Sequence, residues 1–194
     1  MGDIDRESCP RTINLIGMQH PLRSLLTNLT EAHRWRSVNV TVIASTGRTG
    51  TRFLGEQLMR PEAGVFSVHE PRPTLQDIGH ARWAGHIDSR STSTAFLQNR
   101  KAQRRAIGRA SVYVESNGGL TFLIDDLYRR FRSLRVLHVI RSPLSFIRSG
   151  VSRIDESGLQ RYATDDAWLF RSSDKPSDPW SDRWEQLDIY ERFA

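Results

Sequence analysis

Apolar positions along this chain fall into short β-branched runs, separated by stretches whose apolar residues recur at helical spacing. Val38 to Ala44 is such a run, bounded by turn residues, and reads as a buried strand. Gly50 to Met59 then reads as a helix stopped by Pro61. Val65 to Val68 is a second short strand ending in His69-Glu70-Pro71, where Pro71 and Pro73 impose extended backbone and bar a helix start. Thr74 to Gln98 gives a mixed signal of loop and short helices, and Ala95 to Arg109 reads as a basic helix. A third strand over Ser111 to Glu115 leads into an amphipathic helix from Gly119 to Phe131, with Tyr113, Phe122 and Phe131 at core spacing. A fourth strand, Leu134 to Ile140, is followed by Arg141-Ser142-Pro143 and a helix over Leu144 to Val151. The N-terminal 37 residues are polar and irregular apart from a helix around Leu22 to Trp35. Ser172 to Asp182 is loop-like, and Arg183 to Phe193 reads as a last helix.

Strands alternating with helices imply βαβ units, a parallel sheet and right-handed crossovers, hence an α/β fold. Ligands of such sheets sit at the carboxyl ends of the strands. Three landmarks fall there: the Gly47–Arg52 turn, His69-Glu70, and Arg141.

Length and charge narrow the picture. A chain of 194 residues suits a single domain over 1–194 with a real core. No apolar run approaches the roughly 18 residues of a membrane span. Three acids among the first seven residues and no apolar stretch argue against a secretory signal, so a cytoplasmic protein is expected. The single Cys9 leaves no internal disulfide and no cysteine-based zinc site, and His80, His86 and His138 lack ligand spacing with acids, so no metal is expected. The formal charge of +6 comes almost wholly from arginine, since Lys101 and Lys175 are the only lysines. Without a helix-turn-helix, zinc or RNP signature, that charge fits a small multiply charged nucleotide better than a nucleic acid.

The turn after the first strand carries the sharpest chemistry. Strand, glycine-bearing turn and helix start are how proteins cradle a phosphate, through converging backbone N–H groups and the helix dipole. The Mg-nucleotide version needs Gly-Lys-Ser/Thr, whereas Gly50 here is followed by Thr51 and Arg52. The bland alternative for Gly47 and Gly50 is a tight turn; for Glu70 it is a pairing with a nearby arginine, and for His69 a hydrogen-bonded turn histidine.

Gly47-Arg48-Thr49-Gly50-Thr51 resembles the phosphosulfate-binding loop of the PAPS-dependent sulfotransferases, in the form seen in many bacterial and heparan-sulfate-type members. The family's second signature is an arginine at a later strand end followed eight residues on by a serine, and Arg141 and Ser149 reproduce it. The resemblance covers roughly Val38 to Arg153. It implies a three-layer P-loop-type sheet flanked by helices, with PAPS as co-substrate, PAP as product, no metal, and a hydroxyl or amine acceptor, small molecule or carbohydrate. Backbone N–H groups of Thr49, Gly50 and Thr51 would hold the 5′-phosphosulfate. Arg48 would neutralise the bridging oxygen as the sulfuryl group leaves, and Arg141 and Ser149 would hold the 3′-phosphate, while Arg52 stands where relatives usually have a second hydroxyl and reads either as a further phosphate contact or as a change that weakens nucleotide binding. Some relatives use a glutamate at the end of the second strand as base, which points here to Glu70, with His69 second. Relatives usually continue with another strand and a basic loop, so the chain reads either as a compact member or as part of the domain. The alternatives are another P-loop transferase such as a small kinase, or a truncated PAP-binding protein without turnover.

Overall fold

The structure is a computed structural model, which describes residues 35–46, 49–152, 171–188 and 191–192; all belong to the compact unit Trp35–Ala194. Four strands form one parallel sheet: β1 (Asn39–Ala44), β2 (Val65–His69), β3 (Val112–Ser116) and β4 (Leu134–His138), in the order β2-β3-β1-β4. Between them run α1 (Thr51–Gln57), α2 (Gln76–Trp83), α3 (Ser89–Asn99), α4 (Lys101–Ala106) and α5 (Ile124–Arg130), with α6 (Pro143–Val151) after β4. The chain is therefore α/β with a four-stranded parallel sheet flanked by helices, compatible with a three-layer arrangement.

Register sorts the side chains onto two faces, because paired residues in neighbouring parallel strands point the same way. One row across the sheet is Phe66, Tyr113, Val40 and Leu134. It meets Leu75, Phe96, Leu120, Leu123, Leu127 and Phe131 in the main core, where Trp35 packs edge-on against Tyr113 and Phe131. The other face carries the row His69, Ser116, Ile43 and Leu137, with α1 lying against its β2 and β3 end. Gly55 of α1 permits that approach: a Cβ there would stand 3.1 Å from His69 Cβ and 3.5 Å from Ser116 Cβ.

Three expected elements differ, each for a physical reason. The basic helix expected over Ala95–Arg109 is two helices, broken where Arg100 leaves helical geometry (φ −102°, ψ 17°) and turns its guanidinium inward. The first of them, α3, also starts earlier than expected, because the Asp88 carboxylate caps it by accepting from the Ser91 N–H at 2.7 Å. The helix expected over Gly119–Phe131 opens as a 3-10 turn, Gly118–Leu123, before α5. There Gly119 is pressed against the chain before α2: a Cβ would lie 2.8 Å from Leu75 O, and one on Gly79 would lie 2.6 Å from Gly119 O. The last helix expected over Arg183–Phe193 is a 3-10 turn, Ser181–Gln186, with residues 191–192 helical. The helix expected around Leu22 to Trp35 lies outside the described residues save for Trp35. Among the described residues no helix is long and apolar enough to cross a membrane.

Candidate functional site

β1 sits between β3 and β4, so the loop that leaves its carboxyl end emerges at the middle of the sheet edge. On one side lies β3, ending in Ser116-Asn117, and beyond it β2, ending in His69-Glu70. On the other side lies β4, with Arg141 three residues past His138. Neighbouring strands are about 4.8 Å apart, which puts the β2 end roughly 10 Å from the glycine loop and the β4 end roughly half that.

Gly47 and Arg48 lie outside the described residues. Gly50 adopts the left-handed region (φ 86°), with open space where a Cβ would stand, so glycine is required by backbone conformation alone. Next to it, Thr49 Oγ1 is buried without a hydrogen-bond partner among the described residues. Such an atom costs about 1–3 kcal/mol unless something completes it. Thr51 begins α1 and is buried. Arg52 turns away from the loop, its Nε donating to Glu56 Oε1 at 2.9 Å, and is largely exposed. An exposed i,i+4 pair is worth only a few tenths of a kcal/mol, so a stronger anion would displace it readily.

The β2 and β3 ends are stitched together. The Glu70 N–H donates to the Ser116 carbonyl at 2.9 Å, continuing the strand pairing one step. Glu70 nevertheless adopts φ 42°, a left-handed conformation that costs a non-glycine residue roughly 1–3 kcal/mol. Its carboxylate Oε2 lies 3.9 Å from His69 Nε2, and both side chains are partly exposed. On the ring's other side, His69 Nδ1 is 3.3 Å from Ser116 Oγ, and that hydroxyl donates to the Thr51 carbonyl at 2.9 Å. The two strand ends are thereby linked to the first residue of α1. Thr121 Oγ1 adds a further tie, donating to the Ser45 carbonyl at 3.0 Å.

Below this edge lies a fully buried ion pair that the sequence did not reveal. Arg100 grips Glu115 with Nε and Nη2, both at 2.7 Å, and neither side chain is exposed. The Tyr113 hydroxyl donates to Glu115 Oε2 at 2.5 Å and Asn117 Nδ2 to Oε1 at 3.2 Å. Burial first, then the Glu115 charge and hydrogen bond, push the Tyr113 hydroxyl well above its ordinary pKa, so it remains a donor. Arg100 Nη1 meanwhile donates to the Pro73 carbonyl at 2.6 Å. Desolvating two ions costs several kcal/mol each, which their attraction barely offsets. The effect of the pair is therefore position: it fixes the chain just after Glu70 against the end of β3.

On the far side, the Val139 N–H donates to the Ala44 carbonyl at 2.9 Å, holding the start of the Arg141 segment beside β1. Arg141 is exposed, and Ser149 lies half-buried two turns into α6. The fold thus brings Thr49, Gly50, Thr51, His69, Glu70 and Arg141 to one edge of the sheet. Ser116, Asn117 and Arg100 are the residues missed. Polar Ser116 and Asn117 directly after an apolar strand were the signal that could have found two of them, but Arg100 carried no signal beyond being one arginine in a basic helix. No group of three or more His, Cys, Asp or Glu among the described residues is placed to hold a metal. Comparisons of the chain with family models, curated proteins and solved structures find no match.

Proposed function

We propose that the protein is a P-loop-type sulfotransferase that moves a sulfuryl group from PAPS to a hydroxyl or, as second choice, an amine. The observation that carries this reading is the order of the strand ends. The glycine loop lies between the Arg141 segment and the His69-Glu70 end, so donor and acceptor have separate sides. A nucleotide whose 5′-phosphosulfate rests on Thr49–Thr51 and whose 3′-phosphate reaches Arg141 and Ser149 points its sulfuryl group toward β3 and β2. An acceptor approaching from there attacks opposite the leaving phosphate, as in-line transfer needs.

Thr49 Oγ1, without a hydrogen-bond partner among the described residues, supports an oxyanion at this loop, since a phosphosulfate oxygen would complete it. Arg48, the cation of the glycine loop in sequence, would meet the charge that grows on the bridging oxygen as the S–O bond breaks. A base from the Glu70–His69 pair takes the acceptor's proton. The absence of a lysine after Gly50 disfavours a Mg-nucleotide kinase. The test is release of PAP from PAPS in the presence of a panel of sugar, phenol and amine acceptors, with Glu70→Gln alongside. Acceptor-dependent release lowered at least tenfold by the substitution supports the reading. Tight PAP binding with no release for any acceptor supports a binding protein without turnover.

A further inference from the structure

The hydrogen-bond chain at the β2 and β3 ends carries a proton assignment. Ser116 Oγ has one hydrogen. Its contacts are the Thr51 carbonyl at 2.9 Å, which only accepts, and His69 Nδ1 at 3.3 Å. Just one arrangement makes both contacts hydrogen bonds: the hydroxyl donates to Thr51 and accepts from an Nδ1–H of His69. In the neutral ring, Nε2 is then the nitrogen that carries the lone pair. That nitrogen faces the partly exposed Glu70 carboxylate at 3.9 Å.

We infer that Ser116 holds His69 in its Nδ1–H form, so that His69 Nε2, assisted by Glu70, is the atom that receives the acceptor's proton. The inference rests on the sulfotransfer reading for the identity of the acceptor but not for the tautomer. In the step, the acceptor oxygen forms a bond to sulfur while the bond from sulfur to the bridging phosphate oxygen breaks, and PAP leaves with that electron pair. The acceptor's proton passes to Nε2, and the imidazolium stands beside the Glu70 carboxylate until it releases the proton to water. Three features hold the ring ready. Gly55 leaves room for it under α1, the Glu70 N–H is tied to Ser116, and the Arg100–Glu115 pair anchors the chain just beyond. Ser116 is a positioning residue, and a lone pair aimed at the acceptor side is what it provides.

The test needs no acceptor. The full chain labelled with nitrogen-15 histidine is studied by long-range proton–nitrogen correlation at a pH where His69 is neutral, with His69→Gln identifying the signal. The expected result is a protonated Nδ1 and a bare Nε2 in wild type, moving toward Nε2–H in Ser116→Ala and retained in Ser116→Thr. A wild-type His69 with its proton on Nε2, or a tautomer unchanged in Ser116→Ala, overturns the inference. A parallel titration with PAP separates the two readings, because loss of PAP binding removes the sulfotransfer reading and leaves the tautomer result standing.

Discussion

Glu115 is completely buried, yet each of its oxygens has at least two donors from Arg100, Tyr113 and Asn117. Breaking such a set from one side leaves an uncompensated charge, whereas replacing both ions leaves none. Arg100→Met is therefore expected to lower unfolding free energy by about 3–5 kcal/mol, and Arg100→Met with Glu115→Leu to recover most of that loss, both read by urea denaturation. The double variant also removes the donor to the Pro73 carbonyl. If the proposed transfer holds, it should accordingly lose that activity more than stability, while PAP binding on the Arg141 side stays intact. The sequence could not announce this pair. Arg100 sits among Arg104, Arg105 and Arg109, of which Arg104 is also buried, and only the partner fifteen residues away decides which arginine forms the pair.

At the scale of elements, close backbone approach does what side-chain pattern cannot show. The α2 helix meets the 3-10 turn after β3 through Gly79 and Gly119, where a methyl group on either would press on backbone atoms. Gly79→Ala or Gly119→Ala is expected to cost roughly 1–3 kcal/mol by thermal unfolding, against the gain alanine normally brings in a helix. The strands were legible because each is a short apolar-rich run with turn residues at its ends, largely buried in β1 and β3 though exposed over Arg135–His138 of β4. The helix boundaries near Arg100 and Gly119 were not, because tertiary contacts override local periodicity there.

The same layer gives a pH dependence. Arg82 of α2 grips Asp126 of α5, Nε to Oδ2 at 2.7 Å. Burial alone would raise the Asp126 pKa, but hydrogen bonds from Arg82 and Ser89 and the charges of Arg82 and Arg129 hold it below the ordinary aspartate value. A lowered folded-state pKa stabilises the fold above the unfolded value of about 4, and that contribution is lost as pH falls through the folded value. Asp126→Asn should therefore be less stable than wild type by a steady margin near neutral pH, with the gap closing below about pH 4 in acid-titrated urea melts.

Across the whole molecule, the proposed function turns on strand order, a non-local property. The pattern along the chain yields four strands and three polar landmarks at their ends. It does not say that β1 lies between β3 and β4, which is what places Glu70 and Arg141 on opposite sides of the glycine loop. In the proposed reading, motif spacing suggests the chemistry, and the strand order would keep donor and acceptor apart. The central claim is that this edge binds a nucleotide by its 3′-phosphate. Its most direct test is calorimetric titration of the purified chain with PAP, beside ATP and AMP, for wild type and Arg141→Ala. The account predicts PAP binding at a Kd of about micromolar, unmatched by ATP or AMP and weakened at least tenfold in the variant. PAP binding no tighter than AMP binding, or unchanged by the loss of Arg141, would contradict it.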